Sequence, residues 1–221
     1  MAAGSTRTPM FPRPRTGEVR VRLGAVGMSA LGLQAVGHIE AVGPEAAGFA
    51  PGDRVAYPAS GETKGLRVVV SQRDLIGFPK DVPIDKAAAL LPQGRVARTI
   101  VKQLHSIGRG NTVSVAPDAS GLDAFVAAWV ADLGGVVVDD PRADVVITAS
   151  DYAVAREWRS GHGIGQQAAA DVFQAVRRGV FDGIAVTSYP IAHAARAKAE
   201  QQANAAAAPV VLIPPDLTLA A

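Results

Sequence analysis

The spacing of apolar residues changes period near Asp85, and that change asks one chain for two kinds of architecture. Before it, short β-branched runs alternate apolar and polar, as in Glu18–Arg22 (EVRVR) and Val36–Val42 (VGHIEAV), with further strands expected at Arg54–Tyr57 and Leu66–Val70. Gly43-Pro44, Pro51-Gly52-Asp53 and Pro58 supply the turns. Short strands with such corners predict a small antiparallel barrel. After Asp85 the spacing predicts helical segments over Asp85–Leu91 and Arg95–Ile107, a strand at Thr112–Ala116, a helix over Leu122–Leu133, and strands at Val136–Val138 and Asp144–Thr148. A helix over Ala168–Arg178, a strand near Ile184–Ser188, an alanine-rich helix from about Ala192 and a last strand at Pro209–Ile213 complete the chain. Strands alternating with helices predict βαβ units and a parallel sheet. The expected fold class is therefore mixed α/β, all-β first and α/β second.

Composition removes several function classes. Within 221 residues there is no cysteine, so disulfides and thiolate zinc sites are excluded. A formal charge of +2, with no run of like charges, predicts neither a nucleic-acid groove nor a polybasic membrane anchor. No apolar stretch approaches the roughly 18 residues of a membrane span, and the opening MAAGSTRTPMFPRPRT lacks the apolar centre of a secretory signal. A soluble cytoplasmic protein is expected, without nucleic-acid or membrane partners.

Several motifs, in order, resemble the medium-chain dehydrogenase/reductase superfamily. Gly17 to Arg22 (GEVRVR), with Ala25-Val26-Gly27 following, is similar to its opening strand. Val42-Gly43, Phe49 and Gly52-Asp53-Arg54-Val55 form a VG-x5-F-x2-GDRV pattern that resembles the GroES-like barrel of that superfamily. Ala87 to Pro92 (AAALLP) resembles the helix leading into its cofactor domain, and Gly108 to Val113 (GRGNTV) the approach to its first Rossmann strand. Val176 to Gly179, Tyr189 to Ala192 and Pro209 to Leu212 resemble the closing segment, with the zinc-free quinone oxidoreductase branch nearest. The resemblance implies a GroES-like antiparallel β-barrel plus a reduced Rossmann-like parallel α/β domain. It divides the chain into a flexible arm (1–16), a barrel (17–92), a Rossmann-like unit (93–185) and a segment returning to the barrel (186–221). It also implies a homodimer.

Within that resemblance, Leu33 and Gln34 stand where a zinc-dependent member carries a His-Glu pair, so no catalytic zinc is expected. The dinucleotide turn falls on Val115-Ala116-Pro117-Asp118-Ala119-Ser120-Gly121-Leu122-Asp123, with Pro117 and Asp123 at two glycine positions and Ser120 and Gly121 left as cofactor contacts. Asp118 or Asp123 reads equally well as an ordinary helix N-cap. Asp139 lies about 20 residues past the turn, where an acid binds a ribose and repels a 2′-phosphate, which would favour NAD over NADP. Two solvated aspartates in a tight turn are the plainer use of Asp139-Asp140. Ser29 and Tyr152 are the candidate catalytic hydrogen-bond donors, facing a small-molecule substrate in an interdomain cleft. Ser160 to Gly165, with His162, is expected to be a glycine-rich loop at the same edge, and Gly61 to Gly65 a worn version of a barrel turn. Two functions remain open: an NAD(P)H-dependent, zinc-independent reductase of a quinone or enone, or a reductase-like protein without a dinucleotide that performs cyclisation, isomerisation or elimination, or only binds a ligand.

Overall fold

The computed structural model describes residues 11–59, 65–158, 162–203 and 208–215. Residues 1–10 of the N-terminal arm, most of the Gly61 to Gly65 turn, and Ser160-Gly161 lie outside them. Among the described residues, ten strands and five α-helices follow in the order β1 (Glu18–Ser29), β2 (Gly32–Val42), β3 (Arg54–Ala59), β4 (Arg67–Ser71), β5 (Ile76–Gly77), α1 (Ile84–Thr99), β6 (Thr112–Val115), α2 (Leu122–Asp132), β7 (Val136–Val137), β8 (Val145–Ile147), α3 (Ala149–Trp158), α4 (His162–Arg177), β9 (Thr187–Pro190), α5 (Ala194–Ala203) and β10 (Val210–Ile213). A seven-stranded sheet runs β5-β3-β2-β1-β10-β9, with β4 also paired to β1. It is antiparallel except for the β9/β10 pair. A second sheet, β7-β6-β8, is parallel throughout. The mixed α/β class, with one mainly antiparallel and one parallel sheet, is what the change of apolar period predicts.

β1 is long enough to serve two partners on the edge away from β2. Its first half, Glu18–Arg22, pairs with β4, and its second half, Val26–Met28, pairs with β10. The β1/β10 pairing carries the preceding α5 over the end of β1, where Gln201 Nε2 donates to the Met28 carbonyl at 2.8 Å. Val21, Ile39, Val55, Tyr57 and Val210 pack into a core of the first sheet. A second core surrounds α1 and runs on through Val113, Phe125, Trp129 and Phe173.

α1 is buried on nearly every side, from Ala87 through Gly94, which suits its small and apolar residues. Two helical pieces broken near Pro92 are expected from sequence; the structure has one helix with Pro92 inside it. Proline removes a single donor, and burial within the second core outweighs that loss. The helix then widens into a π-turn over Ile100–Leu104, with the His105 N–H donating to the Ile100 carbonyl at 3.1 Å.

A second correction concerns the expected glycine-rich loop. From His162 onward that run is already the start of α4, six residues before the predicted helix. Tertiary contacts hold these turns. Gly165 is buried so close to Arg95 that a Cβ there would lie 2.7 Å from Nη2, and Gln166 Nε2 donates to the Leu75 carbonyl at 3.0 Å.

Candidate functional site

The carboxyl end of β6 leads into Ala116 and the turn Pro117 to Gly121, which opens α2. Gly121 adopts φ +73° at the helix N-cap, and nothing lies within 4 Å of where a Cβ would point. That conformation suits glycine. The Ser120 N–H and the Ser120 hydroxyl both bond to one oxygen of Asp118, the former at 3.0 Å. Arg156, reaching across from α3, donates from Nη2 to both carboxylate oxygens at 2.8 and 3.0 Å and to Ser120 Oγ at 2.9 Å. Burial alone would raise the Asp118 pKa. The hydrogen bonds from Ser120 and Arg156, with the nearby guanidinium charge, outweigh it and hold the carboxyl below its ordinary value.

This turn borders a cavity of about 930 Å³. Met28, Ser29 and Leu33 at the β1/β2 hairpin close one side, and Asp118, Ser120 and Arg156 form another. Ile191, Ala195, Lys198 and Gln201, on and beside α5, complete the wall. Ser29 Oγ accepts the Leu31 N–H at 3.2 Å, which leaves its own proton available to the cavity. Lys198 is exposed and adds an ammonium. The space is mostly apolar, with few polar groups, as small-molecule sites are.

The structure brings Ser29 and Ser120 to one cavity, with Gly121 beside it at the helix N-cap. Tyr152 is placed elsewhere: it sits in the first turns of α3, 1% exposed, and its hydroxyl donates to the Ala116 carbonyl at 2.8 Å. Burial, followed by the carboxylates of Asp123, Asp118 and Asp151, drives its pKa upward. Tyr152 therefore braces the end of β6, and its proton is committed. Asp139 is exposed just after β7 and does not line the cavity.

A smaller cavity of about 270 Å³ lies across Leu33, beside Gln34, Leu75 and Arg95. Gln34 is buried there, with Nε2 donating weakly to the Ala35 carbonyl at 3.4 Å. Among the described residues no group of three or more His, Cys, Asp or Glu side chains gathers as a metal site would. Behind the turn, Gln93 is 2% exposed, and its Oε1 has no hydrogen-bond partner among the described residues. Sequence reasoning missed Arg156, Lys198 and Gln93. No local signal marks them, since Arg156 meets Asp118 from 38 residues away.

A dinucleotide suits this wall in volume and in donor type: a guanidinium, and a serine hydroxyl and N–H, with open space beside Gly121. The same donors are satisfied by Asp118, so an incoming phosphate must compete with that carboxylate.

No protein-family model matches the chain. It is 31% identical to a quinone oxidoreductase of Pseudomonas aeruginosa over 57% of this chain and 44% of that protein. The chain thus spans less than half the length of the curated relatives it matches. Among solved structures, a 2-haloacrylate reductase superposes with a TM-score of 0.74 at 19% identity, covering 94% of each chain. A mycobacterial protein solved with NADPH superposes with a TM-score of 0.69 at 20% identity, covering 92% of this chain and 93% of that one. At those identities the superpositions speak to the fold.

Proposed function

We propose that this chain is a member of the medium-chain dehydrogenase/reductase superfamily and an NAD(P)H-dependent oxidoreductase that reduces a quinone or an enone without zinc. The observation that carries this is the cavity of about 930 Å³ that joins Ser29 to the turn at the carboxyl end of β6, the edge where open α/β sheets bind ligands. The similarity to a quinone oxidoreductase and to a reductase fold supports the same class. When bound, the nicotinamide would supply a hydride to an electron-poor carbon.

The protein's own share is positioning, exclusion of water and one donated hydrogen bond. Arg156 and the Ser120 N–H and hydroxyl are the groups to hold a diphosphate, and Gly121, whose N–H donates to the Asp118 carbonyl at 2.8 Å, leaves room beside them for want of a side chain. Met28, Leu33 and Ile191 present apolar surface to a flat, uncharged substrate. Ser29 offers its hydroxyl proton to the oxygen on which negative charge develops during reduction.

Titration with NADPH and NADH, followed by nicotinamide fluorescence and thermal unfolding, tests this. A cofactor at a hundred times its dissociation constant stabilises by about 2.7 kcal/mol. Cofactor consumption with a benzoquinone or a cyclic enone is the expected result. Absence of both binding and consumption at millimolar cofactor would sink the proposal.

A further inference from the structure

We infer that Asp118 is a built-in occupant of the diphosphate seat: its carboxylate holds the donors that a dinucleotide needs, and the cofactor binds by displacing it. This rests on the reductase function proposed above. Arg156 gives both Asp118 oxygens its Nη2 hydrogens, at 2.8 and 3.0 Å, and Ser120 gives one of them its N–H and hydroxyl. The pairing is more than a local helix cap, because Arg156 comes from α3, 38 residues along the chain. Asp118, Ser120 and Arg156 all line the cavity of about 930 Å³, so the pair stands on the ligand's side of the turn.

The alternatives open to an anion there are few. Pro117 has no N–H to offer and the Gly121 N–H is bonded to the Asp118 carbonyl at 2.8 Å, so on this wall the side-chain donors are Ser120 and Arg156 at the turn and Lys198 across from it. Carboxylates and phosphates use the same guanidinium donors, and two anions cannot share one seat at contact distance without strong repulsion. The side chain of Asp118 must therefore turn away as a diphosphate arrives. Affinity for dinucleotides is lowered by the free energy of breaking the Asp118–Arg156 pair, and Asp118 sets the threshold that a ligand must pass.

The test compares the whole chain with its Asp118→Asn variant by titration calorimetry, using ADP as the diphosphate probe and NADPH as the cofactor. Asparagine keeps the shape and one acceptor for Ser120 but frees the Arg156 charge. ADP and NADPH affinities are expected to rise about tenfold or more, with a steeper dependence on salt. Adding Arg156→Gln to Asp118→Asn should erase the gain. Should Asp118→Asn not fold, the wild-type chain answers through the Asp118 carboxyl carbon resonance: ADP must move it towards the value of a solvated aspartate. Unchanged or weaker ADP affinity in folded Asp118→Asn, or an unmoved resonance at saturating ADP, overturns the inference. Tighter ADP binding without NADPH consumption by either protein upholds the role of Asp118 and overturns the reductase function. NADPH consumption by both with equal ADP affinity does the reverse.

Discussion

Gly27 of β1 and Ala88 of α1 meet backbone to backbone: a Cβ on Gly27 would lie 2.0 Å from the Ala88 carbonyl oxygen and 2.5 Å from its carbon. Pro92, four residues beyond Ala88, has no N–H to give that carbonyl. The missing side chain of Gly27 lets β1 press onto the same stretch of α1, next to Met28 and Ser29 of the cavity wall. Gly27→Ala is expected to destabilise the protein by about 3 kcal/mol, because the clash is with backbone that cannot rotate away. Urea unfolding of the variant measures this, and an unchanged midpoint would mean the two elements are further apart.

Tyr152→Phe separates a brace from a proton donor. Losing the buried hydrogen bond to the Ala116 carbonyl leaves that acceptor unmet and should cost about 1–2 kcal/mol of stability. The pH profile of any reductase activity should keep its shape through neutral and mildly alkaline pH, since the Tyr152 pKa is pushed upward by burial and its carboxylate neighbours. A profile that loses a limb in the variant would return Tyr152 to catalysis.

Ser29→Ala should lower kcat by about 10²-fold, the usual loss for one oxyanion donor, while leaving NADPH affinity close to wild type. The expected split follows from the position of Ser29 on the hairpin side of the cavity, with the turn on the other. Steady-state kinetics with a quinone, paired with cofactor titration, checks it.

Acid should unfold this protein through three aspartates. Burial disfavours the charge of Asp118, Asp151 and Asp171, but hydrogen bonds outweigh it: from Ser120 and Arg156, from Thr148 and His105, and from Arg98, Gln167 and Lys102. All three pKa values lie below their ordinary value. A carboxyl depressed on folding adds stability that is complete above the unfolded value of about 3.9. That stability is lost as pH falls through the folded one. Urea midpoints should therefore hold steady above about pH 5 and drop below about pH 4. Asp171→Asn, which removes the link from α4 to Arg98 at 2.9 Å and Lys102 at 3.2 Å, should lower the midpoint at pH 7 and make the acid fall shallower. An acid limb as steep as that of the wild type would count against it.

The parts that were legible in sequence are those made by neighbours along the chain. In the GDRV turn, Gly52 takes φ +91° and Asp53 accepts the Ala50 N–H at 2.8 Å, three residues away. The cap of α2 was misplaced: Asp118 or Asp123 was expected there, but Gly121 is the N-cap, without a side-chain cap bond, and Asp118 is held by Ser120 and Arg156 instead. The early start of α4 was not legible, because Gly163 and Gly165 argue against a helix, while the close approach of Gly165 to Arg95 and the Gln166 bond to the Leu75 carbonyl come from far away in sequence. The passage of α1 through Pro92 is of the same kind.

The change of apolar period near Asp85 was enough to determine two sheet types, and the glycine and aspartate turns were enough to locate the end of β6. Those signals need only the preferences of adjacent residues. Which groups face one another across the cavity was decided by tertiary structure. Pairing β10 with β1 carries α5 over Met28, and α3 brings Arg156 back to Asp118. A hydrogen bond of 2.8 Å between residues 38 positions apart leaves no periodic trace in sequence, because its cost in chain entropy is met by the packing of whole elements and not by the two residues that make it.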